Sequence, residues 1–305
     1  MGLKVNVMND RKQHVIHKAH QLFVEKGFQA TSIQEIIEYS GISKGTFYNY
    51  FSSKNELLMA IFTSLNQRIE IERNELLIGQ DITNIDIFIR QIELQMAFNR
   101  RNKLFALFEE VFVSNDPTLK EFLKRTQIKY IRWIFNRFVD IFGMSKRPYL
   151  LDCAIMFMGL MHHNIHFHFL AKESDANIKE VIRYSVRRIE KMVDEVEKSG
   201  AQLLEPEILE KLLPDCNKSN YTLEKKISNS IFGLKKCLSD GEDQFKNTEL
   251  LDFIQEELLH SKTPRQFLIK SALFALKENQ NSPCEKELLK LEIMVQDFLS
   301  TVENS

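Results

Sequence analysis

Apolar residues in this chain recur at intervals of three and four almost from end to end, and that spacing suits one kind of backbone. In an α-helix, side chains three and four apart share a face, whereas a strand alternates its faces at every residue. No alternating apolar-polar run competes with the helical spacing, and 305 residues contain only ten glycines. The pattern predicts an all-α protein. Helices are expected near 10–26, 32–39, 43–49, 54–79, 84–100, 102–113, 117–142, 148–172 and 177–199. After a break at Lys198-Ser199-Gly200, more follow near 206–213, 221–239, 246–260, 264–279 and 283–301. Four of the six prolines, in Asp116-Pro117, Arg147-Pro148, Thr263-Pro264 and Ser282-Pro283, read as helix starts. Asp, Thr and Ser cap the orphan amides of a first turn, and proline fits the first helical position.

Residues 31–58, TSIQEIIEYSGISKGTFYNYFSSKNELL, place two short helices about a glycine. Ser32 is positioned to cap a helix whose Ile33, Ile36 and Ile37 share a face. Gly41 falls where that helix must stop, and glycine takes the left-handed geometry of a tight turn without strain. Ile42 plugs the angle between the helices. Ser43 opens the second, with Phe47 inward and Lys44, Thr46, Tyr48 and Asn49 outward. This is a helix-turn-helix over about 32–51, whose second helix enters the major groove of double-stranded DNA.

The outward residues suit that use. The helix tip at Ser43-Lys44-Gly45 offers amides to a phosphate, and Gly45 carries no side chain to hold the backbone off the duplex. Lys44 suits a phosphate or a guanine edge, Thr46 a thymine methyl and Asn49 a base edge. Tyr48 and Tyr50 offer hydroxyls to phosphate oxygens, and Lys54, opening the next helix, a further cation. Ser32, at the tip of the first motif helix, joins them as a candidate contact. A purely structural αα-hairpin has no reason to set Lys, Thr, Tyr and Asn on one side and Ile and Phe on the other.

At these residues the sequence resembles the TetR family of bacterial regulators. The likeness runs over about Asp10 to Leu65: Leu22-Phe23-Val24-Glu25-Lys26-Gly27-Phe28, then Thr31-Ser32-Ile33, then Ser40 through Phe51, then Ser53-Lys54-Asn55-Glu56-Leu57-Leu58. Ile37 and Ser40 depart from it, standing where the family usually has alanines. The resemblance implies an all-helical homodimer, and a small apolar effector that binds the middle region and releases DNA. It implies repression as the default outcome. Family members usually end near the position of Gly200, so it implies nothing about residues 201–305. The expected organisation is a three-helix DNA-binding domain at 8–68, an effector-binding and dimerisation domain at 69–200, and an additional helical subdomain at 201–305.

Charge and cysteines narrow the alternatives. The net charge of -1 gives no global pull on DNA, and residues 201–305 carry thirteen Lys/Arg against eighteen Asp/Glu, so the acidic end is a poor DNA surface. Cys153, Cys216, Cys237 and Cys284 lie far apart with no Cys-x-x-Cys, which argues against disulfides and fits a cytoplasmic location. Leu150 to Leu170 has the length of a membrane span, but Asp152, Asn164 and four histidines favour a helix in a protein core. There is no glycine-rich phosphate loop and no nucleophile elbow, so an enzyme is not expected, and no cofactor.

The middle region, from Ile85 to Leu170, is dense in aromatics. Trp133, Met156 and Phe157, with His162 and His166, are the candidate liners of an effector pocket. His162 and His166 lie four apart on one helical face, a spacing that can hold a metal ion. A metal- or haem-responsive sensor using His162 to His168 is therefore an alternative. A protein-interaction module through the C-terminal extension is another. The helix near 177–199 carries a continuous apolar stripe (Ile178, Val181, Ile182, Val186, Ile189, Val193). With the helix before it, this one is expected to form the dimer interface.

Overall fold

A computed structural model of the chain describes residues 2–113, 116–171, 178–213, 227, 230–231, 233–235, 237, 244–259, 264–278 and 284–303. All regular structure among them is helical. The chain divides into two compact units, Met1–Leu213 and Pro214–Ser305.

The first unit contains α1 (Gly2–Lys26), α2 (Ile33–Ser40), α3 (Lys44–Tyr50), α4 (Lys54–Glu75) and α5 (Ile85–Arg101). After these come α6 (Leu104–Val113), α7 (Pro117–Phe142), α8 (Arg147–Ala171), α9 (Ile178–Ser199) and α10 (Ile208–Leu212). Cap chemistry sets several starts. Ser32, Ser43, Ser53, Asn84 and Asp116 each accept a first-turn amide, and Pro117 follows Asp116 as expected. α4 stops at Glu75, short of the expected 79, because the chain turns through Leu77 to a left-handed Gly79 (φ +64°). Two apolar cores result. One joins α1 to α4 with α6 and the start of α7, around Phe23, Phe47, Phe62 and Leu107. The other joins α5, α7, α8 and α9 around Phe88, Trp133, Phe138, Phe157 and Ile182.

α9 ends at a left-handed Gly200, yet the following residues stay on this unit. Asp152 of α8 accepts the amides of Leu203 (2.7 Å) and Leu204 (3.2 Å), Arg147 pairs with Glu207 (2.9 Å), and Leu209 is buried in the second core.

The second unit contains α11 (Gln244–Leu259), α12 (Gln266–Glu278) and α13 (Glu285–Glu303), with helical residues between 227 and 237. Ile231, Leu251, Ile254, Ile269, Leu276 and Leu291 lie in its core. The Ser282-Pro283 start lies outside the described residues. Cys237 and Cys284 form a disulfide, which corrects the expectation of unpaired thiols: helical packing closes a sequence separation of 47 residues. Cys153 is free and buried, and burial pushes its thiol up to about 11. Among the described residues, no helix is long and apolar enough to cross a membrane.

Candidate nucleic-acid interface

The two motif helices are locked from both ends of α2. The Ser32 side chain accepts the Glu35 amide (3.2 Å) while the Glu35 carboxylate accepts the Ser32 amide (2.8 Å), a reciprocal capping box. Lys26 adds an ion pair to Glu35 at 2.7 Å, and these donors hold the Glu35 carboxyl down at about 2. At the other end Gly41 is left-handed (φ +64°), and the Ile42 amide reaches back to the Ile37 carbonyl at 3.2 Å. Ser43 then caps α3, accepting the Thr46 amide at 3.1 Å, and its hydroxyl meets that of Thr46 at 2.9 Å.

Phe47 is the buried residue of α3. It packs beside Phe51 (ring centroids 5.9 Å apart) in the core of this domain. Ser43, Lys44, Gly45, Tyr48 and Asn49 face solvent, with Thr46 and Tyr50 half-exposed. Tyr48 is 48% exposed although its ring leans edge-on against Phe47. At Gly45 the nearest atom to an added Cβ would be the Ser43 hydroxyl at 3.8 Å, so packing alone would admit a side chain there.

Two expected contacts are committed elsewhere. Lys54 turns inward: its ammonium donates to the carbonyls of Phe28 and Thr31, both at 2.8 Å, and lies 4.5 Å from the Phe28 ring centre. Burial lowers its pKa from the ordinary lysine value. It clamps the loop before α2 and is not a spare cation for phosphate. The Ser32 hydroxyl, likewise, donates to Glu35 (2.9 Å) while it caps α2.

Of the two departures from the family pattern, Ile37 is buried in the core and Ser40 is buried with its hydroxyl lacking a hydrogen-bond partner among the described residues. An unpaired buried hydroxyl costs about 1–3 kcal/mol. Ser40→Ala is therefore expected to raise the stability of the first unit by about 1 kcal/mol, read by chemical denaturation. A loss of stability of that size would refute the assignment of an unpaired hydroxyl.

Four polar contacts tie this domain to the helices behind it. The ring of His20 meets the Asn102 carbonyl (3.3 Å), Lys103 donates to the Val24 carbonyl (3.0 Å), and the Gln29 amide donates to Glu110 of α6 (2.9 Å). Asn55 of α4 donates to Asp116 at the start of α7 (2.6 Å). Sequence periodicity revealed none of these, because each joins residues 61 or more positions apart.

In the middle region Trp133 and Phe157 are both buried beside Phe88, at 5.9 and 5.6 Å between ring centres, and Met156 is half-buried against the same core. His162 and His166 are not brought to them. α8 turns its Leu150, Ala154, Phe157 and Met161 into the core and leaves both histidines exposed. Among the described residues, no group of three or more His, Cys, Asp and Glu is placed to hold a metal ion.

Residues 15–61 match the model of the bacterial regulatory proteins, tetR family. The N-terminal region is that of a tetR-family regulator. The chain is similar to YerO, an uncharacterized HTH-type transcriptional regulator of Bacillus subtilis (strain 168). The two are 27% identical over 94% of this chain and 96% of YerO. YuxN, a second uncharacterized HTH-type regulator of that strain, is 23% identical over 93% of this chain and 97% of its own length. The transposon Tn10 TetC protein of Escherichia coli is 46% identical over 108 residues, 35% of this chain and 47% of TetC. No solved structure matches. The chain is thus a DNA-binding transcription regulator, and its alignment with YerO and YuxN takes in most of residues 201–305.

Proposed function

We propose that this regulator is a homodimeric repressor whose α3 helices enter successive major grooves of a palindromic operator, and that a small apolar effector releases it. The observation that carries the DNA-reading role is the division of α3: Phe47 alone is buried, while Lys44, Gly45, Tyr48 and Asn49 face outward. In this reading Lys44 and Tyr48 hold phosphates, Asn49 and Thr46 read base edges, Gly45 lets the backbone approach, and Ser43 and Tyr50 complete the contact. Effector binding near Trp133, Met156 and Phe157 acts on DNA through the α5–α6 corner, where Asn102, Lys103 and Glu110 grip the end of α1 and the loop after it. The site of action is the cytoplasm, where bacterial operators lie.

Dimerisation is assigned to α8 and α9. Residues 153–171 of α8 contain no Asp, Glu, Lys or Arg, yet Ile155, Phe167 and Leu170 are exposed, with Tyr184 exposed on α9. An uncharged, partly apolar face of this extent suits a copy of itself across a two-fold axis. A second reading, an added protein-interaction role for the C-terminal unit, is favoured by its exposed Phe245, Phe267 and Phe274.

The test is a binding titration with DNA from upstream of the protein's own gene, against unrelated duplex, over a series of salt concentrations. Specific binding about 10³-fold or more tighter than to unrelated duplex is expected, with log affinity falling by roughly 0.9 per phosphate neutralised for each decade of salt. Equal affinity for both duplexes, or none, overturns the proposal.

A further inference from the structure

We propose that the dimer carries a divalent transition-metal site built from His162 and His166 of each protomer, an inference that rests on the dimer assigned above. Two histidines four apart on a helix present their imidazoles on the same side one turn apart, a spacing that binds zinc-like ions. Both side chains are exposed, so both are open to a ligand. One chain supplies only this pair; a closed zinc site takes four ligands, and no third His, Cys, Asp or Glu joins the pair within the described part of one chain.

The missing two come from symmetry. The exposed seam of α8 runs Ile155, Gly159, His162, His166, Leu170, with steps of four, three, four and four. Such spacing keeps one stripe facing a neighbouring helix. Among the described residues, nothing beyond the adjoining backbone of α8 lies within 4 Å of an added Cβ at Gly159, which leaves room for a bulky side chain of the second copy. His162 and His166 stand at the middle of that seam. A two-fold axis crossing α8 beside Asn164, midway between the two histidines, sets His162 of one copy against His166 of the other, so four imidazoles converge. The face has no carboxylate, and all-imidazole ligation selects zinc, cobalt, nickel or copper over magnesium or calcium. His163, next to His162 on the flank of the seam, is not a ligand in this arrangement.

The experiment uses the untagged full-length chain, stripped with chelator and titrated with cobalt(II) chloride and then zinc(II) chloride. The expected result is one ion per two chains, with the visible absorption of tetrahedral cobalt that zinc displaces. His162→Ala and His166→Ala should each weaken uptake by about 100-fold or more, and His163→Ala should leave it unchanged. No uptake, one ion per single chain, or uptake unchanged in both ligand variants overturns the site. Sedimentation of the metal-free chain and of Ile155→Arg separates the two readings. A metal-free dimer that Ile155→Arg disrupts, but that takes up no ion, sinks the metal site alone. A chain monomeric with and without the ion sinks both.

Discussion

Replacing Lys44 and Tyr48 together by alanine is expected to abolish specific DNA binding while leaving the protein folded. Both side chains point away from the core, Tyr48 with 48% of its surface exposed. Surface changes of this kind move stability by about 0.5 kcal/mol or less. Their contribution to binding is larger. A hydrogen bond to a charged group or a good base-edge contact is worth about 1–3 kcal/mol, and each loss occurs twice in a dimer. Even at the lower end, roughly 4 kcal/mol disappears, about a thousandfold in affinity. The salt slope should shrink by about one for each lysine removed from a phosphate, hence by about two per dimer. Gel retardation and a thermal melt of the same preparation check both halves. A double variant that shifts operator DNA like the parent would remove α3 from the interface. A variant that loses binding only because it melts early would leave the assignment without support. Phe47→Ala makes the control: being fully buried, it should lose DNA binding through unfolding, at a cost of about 3–5 kcal/mol.

The DNA-reading helix was legible because its signals are local. A cap, a glycine stop, a second cap and one inward phenylalanine all fall within twenty residues, and periodicity reports which side each occupies. Lys54 shows where that reach ends. Its position opening α4 suggested a free cation, but its true partners are carbonyls 23 to 26 residues back, which only the fold brings within reach. The same applies to Cys237 and Cys284, and to the histidines of α8. Spacing put His162 and His166 on one face, and the packing of Phe157 and Met161 decided that the face is outward. The buried polar relay of the middle region left the faintest trace. Arg137 and Asp140 at three apart, amid Trp133, Ile134 and Phe138, were the available hint that a charge sits inside a core.

That relay carries the second large effect: Arg137→Ala is expected to lower the stability of the first unit by about 3–5 kcal/mol, because a buried guanidinium gives up several hydrogen bonds worth about 1–3 kcal/mol each. Arg137 is fully buried. Its guanidinium donates to the Gln91 side chain (3.0 Å), to the Ile82 carbonyl (3.1 and 3.2 Å) and to Asp140 (2.8 Å). Gln91 in turn donates to the Arg73 carbonyl (2.9 Å), and Arg73 donates to Gln95 (2.9 Å) with its guanidinium 4.0 Å from the centre of the Trp133 ring. One chain of donors therefore joins α7 to α5 and to the end of α4, the helix that leads out of the DNA-binding domain. Alanine leaves the buried Gln91 oxygen without its donor inside the core and takes two hydrogen bonds from the Ile82 carbonyl, and the desolvated Gln91 acceptor accounts for much of the loss. For a unit of this size a change of 3–5 kcal/mol corresponds to a fall in melting temperature of roughly 6–20 °C. Asp140→Ala should cost less, because the Asp140 side chain is 26% exposed and water replaces part of what it supplied. Lysine at 137 should rescue little, since a single ammonium cannot span Gln91, Ile82 and Asp140 as a planar guanidinium does. Thermal and denaturant melts of the three variants give the order directly. Equal losses for Arg137→Ala and Asp140→Ala would mean that the ion pair alone, and not the relay through Gln91, holds α4 and α5 to α7.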